Sequence, residues 1–187
     1  MKKWILASTL LLAACSSTSG VSYYQLPAQP AVTQVAQQQQ VLVVNPVSVA
    51  DYLSGTGLAY QTNDVEMVLT QQNQWVDNLG SQLTRTLTAN LTHDLQGWQV
   101  TPTSASANDW QLNTQVERFQ GRYDGKVVIS GRWLLTHGGQ RWQKNFELVL
   151  PQNADGYPEM VRVMGAGWQQ QAAAIAREVT QIAAGQS

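Results

Sequence analysis

Few side chains in this sequence are of a type that does covalent chemistry, and their spacing limits what they could do. There is one cysteine, Cys15, and there are two histidines, His93 and His137. A lone cysteine excludes a disulfide within one subunit. Neither histidine stands at metal-ligand spacing from another histidine, a cysteine or a carboxylate. His93 falls near the end of an apolar-periodic segment, where the C-terminus of a helix favours a cation. His137 precedes the turn signal Gly138-Gly139, and both histidines read as surface residues. No Gly-x-Ser-x-Gly elbow and no Walker-type phosphate loop occurs. Gly55-x-Gly57 lacks the rest of a dinucleotide fingerprint and reads as a turn, while Asn153-x-Asp155-Gly156 has part of a calcium loop without its later ligands. These residues offer no catalytic site and no metal site, call for no cofactor, and argue against an enzyme. Aromatic recognition is the other possibility. In Val49-Ala50-Asp51-Tyr52-Leu53, just before the Gly55 turn, Tyr52 and Leu53 are less bound to a core role than Trp75 or Trp168. They are the candidate partner-binding residues; the competing reading is that both close one end of the core.

Cys15 acquires a role from what precedes it. Lys2 and Lys3 form a short positive segment, and Trp4 to Leu12 is an almost unbroken apolar run. A helix needs about twenty apolar residues to cross the hydrocarbon of a bilayer. The shorter run therefore reads as the hydrophobic part of a signal peptide over residues 1–14. It ends in Leu12-Ala13-Ala14-Cys15, which resembles the lipobox of bacterial lipoproteins. That resemblance implies cleavage before Cys15, a diacylglyceryl group on its thiol and a further acyl chain on the new amine. Two acyl chains already hold a protein stably on a membrane. Ser16 follows where an aspartate would imply retention at the inner membrane, so the resemblance implies the outer membrane, facing the periplasm.

The remaining residues must build whatever the anchor holds. Removal of fourteen residues leaves 173, enough for one domain with a substantial core. The formal charge of −1 loses Lys2 and Lys3 and becomes −3. With charged residues at only 12% and no basic cluster, nucleic acid is not an expected partner. Residues 15–22 are small and polar, a flexible tether. The domain is expected over 23–187, starting with a strand at Tyr23-Tyr24-Gln25-Leu26. A glutamine-rich loop lies near 27–40, and Val41 to Val49 is a strand interrupted or ended near Pro46. Leu58 to Gln61 and Val65 to Leu69 are short strands.

Trp75, Leu79, Leu83, Leu87, Leu91 and Leu95 recur every four residues and predict an amphipathic helix of about five turns, stopped at Gly97. Trp98 to Val100 resumes an extended chain. A meander follows: Trp110 to Phe119, the Asp124-Gly125 turn, Lys126 to Thr136, the Gly138-Gly139 turn, and Arg141 to Leu150. In the last strand Trp142, Phe146, Leu148 and Leu150 alternate with polar residues, as in a sheet covered on one face. Val161, Met164, Trp168, Ala172, Ile175, Val179 and Ile182 predict a final helix. The fold class is α+β: a mixed, largely antiparallel sheet with two long helices packed on one face.

Four segments carry a resemblance to a family. Tyr23-Tyr24-Gln25-Leu26, Val49-Ala50-Asp51-Tyr52-Leu53, Gln74-Trp75-Val76-Asp77-Asn78-Leu79 and Phe119-Gln120-Gly121-Arg122-Tyr123-Asp124-Gly125-Lys126 occur in that order. The chain so resembles the ABC-type transport auxiliary lipoproteins over nearly all of its mature length. It departs where other members more often have Trp-Ala-Glu-Pro-Leu, and the glutamine-rich insert is not a family motif. The resemblance implies an accessory subunit of intermembrane lipid transport that docks an MCE-domain, periplasm-spanning protein at the outer membrane. Direct lipid binding in a groove between sheet and helices, and a structural role in the envelope, are the competing expectations. Self-association into a homo-oligomer is compatible with all three.

Overall fold

A computed structural model describes residues 20–30, 40–104 and 106–185. The signal peptide, Cys15, most of the tether and residues 31–39 of the glutamine-rich loop lie outside the described residues. Among the described residues, nine strands form one sheet: β1 (Ser22–Tyr24), β2 (Gln40–Val44), β3 (Ser48–Val49), β4 (Gly57–Gln61), β5 (Met67–Trp75), β6 (Trp98–Thr101), β7 (Trp110–Arg122), β8 (Lys126–His137) and β9 (Gln140–Pro151). Two helices, α1 (Leu79–Asp94) and α2 (Tyr157–Ala184), complete the α+β architecture.

β7 is the spine of the sheet. Along one side it pairs antiparallel with β8, which pairs antiparallel with β9. Along its other side it meets β2, β3 and β4 in succession, each parallel to it. β6 extends the sheet beyond β2, and β5 then β1 extend it beyond β4. The parallel pairings are short, and the two long antiparallel ladders dominate. Pro46, which lacks an amide donor, falls in the break between β2 and β3. The meander runs through tight turns in which Gly125, Gly138 and Gly139 all take positive φ, the region where a Cβ is disfavoured.

Leu112, Val116, Phe119, Ile129, Trp133 and Leu135 of β7 and β8 share one core with Leu79, Leu83, Leu87 and Leu91 of α1 and Met164, Trp168, Ile175 and Val179 of α2. Both helices thus cover the same sheet face. The indole N–H of Trp168 donates to the Leu83 carbonyl at 3.1 Å, tying α2 to α1. Trp75, Trp98, Trp110, Trp133 and Trp168 are buried, as their core phasing predicts. β9 lies at the sheet's edge, so Trp142, Phe146, Leu148 and Leu150 are only half-buried, although their alternation was clear.

The helix over Trp75–Leu95 requires correction at both ends. Trp75 is the last residue of β5, which itself runs well past the expected Val65–Leu69. α1 starts only at Leu79, where the Asn78 side chain accepts from the Ser81 amide at 3.2 Å and fills the N-cap role. Leu95 is the C-cap and is buried. Trp75 and Leu79 enter the same core, Trp75 with its ring centroid 6.2 Å from that of Phe119. A shared core thus produced a helical spacing across a strand-to-helix junction.

Candidate functional site

The described chain enters the fold at residues 20–24. β1 runs parallel to the end of β5, with Ser22 opposite Asn73 and Tyr24 opposite Trp75. The Tyr24 hydroxyl bonds Asn73 Oδ1 at 3.0 Å, and the Leu26 amide donates to the buried Gln82 Oε1 at 2.9 Å. Gln82 Nε2 in turn donates to the Asp77 carbonyl at 2.9 Å. One buried amide therefore fastens the start of the chain and the β5–α1 junction together.

Tyr52 and Leu53 occupy a single 3-10 turn, Asp51–Leu53, and differ in environment. Leu53 is 3% exposed and belongs to the core, so the expectation that it contacts a partner gives way: its side chain has no surface to present. Tyr52 is half-buried. Its hydroxyl lies 2.7 Å from Gln120 Oε1 and 3.1 Å from the Glu117 carbonyl, both acceptors on β7. Burial pushes the Tyr52 phenol up from its ordinary value, partly offset by Arg118 and a backbone hydrogen bond.

The histidines stay apart. His93 is half-exposed near the end of α1 beside Asp94, with Nδ1 2.9 Å from that carboxylate. His137 is not the simple surface residue its turn suggested. It ends β8 and stacks on Trp110, with centroids 4.0 Å apart and planes 4° apart. Trp142 and Trp98 flank the same indole, each at 5.8 Å. Among the described residues no group of three His, Cys, Asp or Glu could hold a metal, and no helix is long and apolar enough to cross a membrane.

A cavity of about 400 Å³ opens where β4, the β7–β8 turn and the start of α2 converge, lined by Tyr60, Tyr123, Gln152, Asp155, Tyr157 and Met160. Burial first, then the nearby Tyr60 and Tyr24, pushes the Tyr157 phenol up. On its rim Asp124 is gripped by Arg122 at 2.8 Å and Lys126 at 3.0 Å, which hold its carboxyl well below the usual range. Sequence reading missed this cavity, because its tyrosines come from three distant segments with no common motif. The geometry brings together tyrosine rings and hydroxyls, the Gln152 amide and the Asp155 carboxylate.

A lipid-modified accessory protein of a transport system is the class into which this fold and sequence fall. Residues 24–176 match the family described as "ABC-type transport auxiliary lipoprotein component", and the chain belongs to that family. It is 45% identical over 186 residues to the intermembrane transport lipoprotein PqiC of Escherichia coli K12, covering 97% of this chain and all of the relative. The same identity and coverage hold for PqiC of Shigella flexneri. A crystal structure of a protein described only as uncharacterized shares 46% identity at a TM-score of 0.79, covering 86% of this chain and 99% of that one. A Xanthomonas campestris protein of 15% identity shares the fold at a TM-score of 0.70, over 89% of this chain and all of its own.

Proposed function

We propose that this chain is lipidated on Cys15, held on the periplasmic side of the outer membrane, and docks an MCE-domain, periplasm-spanning protein of the PqiB type during lipid transport between membranes. The observation that carries this reading is the 45% identity with an intermembrane transport lipoprotein along the whole of that relative. The physical role is tethering, since an anchor confines the domain to a thin layer and raises its effective concentration for a partner that arrives there. No bond is made or broken. Tyr52 is the proposed contact with that partner, with the buried Leu53 holding its turn in place. Leu83, Leu87, Leu91, Leu112, Ile129 and Ile175 are fully buried between sheet and helices. That filled core supports docking over a lipid-binding groove in the same layer.

Fatty-acid labelling and density-gradient fractionation test the anchor. Wild type should carry label and sediment with outer membrane; Cys15→Ala should lose both, and Ser16→Asp should move toward the inner membrane. Label retained on Cys15→Ala would overturn the assignment of the lipid to that residue.

A further inference from the structure

The turn and first strand residues between β4 and β5 expose large apolar side chains that the core does not use. Val65 is 86% exposed, and Met67, Val68 and Leu69 are 39%, 41% and 46% exposed. The turn is ordered around them. Asn63 Oδ1 accepts from the amides of Val65 and Glu66 at 3.0 and 2.9 Å, and the Thr62 amide donates to the Glu66 carbonyl at 3.0 Å. Successive strand residues point to opposite faces, so Val68 lies on one face of the hairpin and Met67 and Leu69 on the other. A strand that covers a core on one side leaves polar residues on its other side. Apolar residues on both faces suit immersion.

What faces this end follows from the path of the chain. β1 is parallel to β5 with Ser22 opposite Asn73, so the residues before Ser22 arrive from the side on which Val65 lies. Cys15 precedes Ser22 by seven residues, which extend to at most about 24 Å. From Gly57, opposite Gln74, to Gln61, opposite Met67, β4 advances four residues, about 13 Å. The hairpin end is within reach of the anchor point and on the side where the tether enters. Val21 and Tyr23, where the chain enters the sheet, are also exposed.

We propose that the β4–β5 hairpin end, through Val65, Met67, Val68 and Leu69, inserts into the headgroup–acyl boundary of the bilayer that holds Cys15 and so fixes the orientation of the domain. The inference rests on the lipidation of Cys15 proposed above. Asp64 precedes Val65, and Glu66 falls between Val65 and Met67 with its carboxylate held by the Thr62 hydroxyl and the Asn63 amide at 2.9 Å each, so the insertion favours zwitterionic over anionic lipid.

The test uses the full acylated chain in vesicles of phosphatidylethanolamine and phosphatidylglycerol, with an environment-sensitive fluorophore on Val65→Cys and, as a control, on Asn145→Cys of the exposed sheet face. Acylated Cys15 does not take the label, and fatty-acid incorporation is read on the same preparation. The label at position 65 should shift to the blue and lose most of its emission to lipids brominated in the upper acyl chain. The label at position 145 should do neither. An acylated, vesicle-bound chain whose position-65 label stays water-exposed overturns insertion while leaving the anchor intact; a chain without fatty acid overturns both. A blue shift that bromine does not quench and that grows with protein concentration assigns the hairpin to a second copy, and also overturns insertion.

Discussion

Gln82 and Tyr52 show how single polar groups hold this fold. Gln82 sits on the buried face of α1 and satisfies the Leu26 amide and the Asp77 carbonyl at once. Removing one partner from a buried hydrogen bond leaves the other desolvated and unmatched, at a cost of about 1–3 kcal/mol. Gln82→Met, which keeps the volume, should therefore lower the unfolding free energy by about that amount in a denaturant titration. Tyr52 has a hydroxyl with two acceptors in reach and a phenol whose ionisation burial disfavours. Because its folded pKa is raised above 10, its contribution is complete below that pH and is lost as pH rises through the folded value. Tyr52→Phe should cost about 1 kcal/mol at neutral pH and show a shallower alkaline loss of stability than wild type. Tyr52→Ala, measured for both thermal stability and capture of the MCE partner, separates the ring's contribution to packing from its proposed contact. A stable variant with unchanged capture removes Tyr52 from the interface.

Among the elements, β7 and β8 form one of the two long antiparallel ladders and approach closely at a glycine. At Gly131, opposite Val116, a Cβ would overlap the Gln115 carbonyl oxygen of the neighbouring strand and press on the Phe146 ring. A backbone atom cannot rotate away, so Gly131→Ala should destabilise by about 3 kcal/mol, measured by thermal unfolding. The meander around this glycine was legible because alternation and glycine turns are local signals. Trp110 to Phe119, Lys126 to Thr136 and Arg141 to Leu150 match their strands to within a few residues. The parallel pairings of β2, β3 and β4 with β7 left no such signal, since they join residues 68, 67 and 61 positions apart. Separation along the chain also hid the tyrosine cavity, which gathers Tyr60, Tyr123 and Tyr157. The stacking of His137 escaped sequence reading because a turn dipeptide says nothing about the indole on the neighbouring strand.

For the molecule as a whole, the proposed anchor, a short tether and an α+β core would together make a protein that works by position. The lipobox resemblance on which the proposed anchor rests lies in twelve contiguous residues, Trp4 to Cys15, and is read without any fold. The proposed partner surface is the opposite case, because packing separates its two candidates, burying Leu53 and leaving Tyr52 half-exposed. The central claim is that the anchored chain receives a periplasm-spanning MCE-domain protein. The most direct measurement is purification of the tagged mature lipoprotein from crosslinked envelopes, with its partners identified by mass spectrometry and Cys15→Ala run in parallel. The MCE-domain protein should be recovered with wild type from outer-membrane fractions and be strongly depleted with Cys15→Ala. Correctly anchored wild type that brings down no MCE-domain protein would contradict the account.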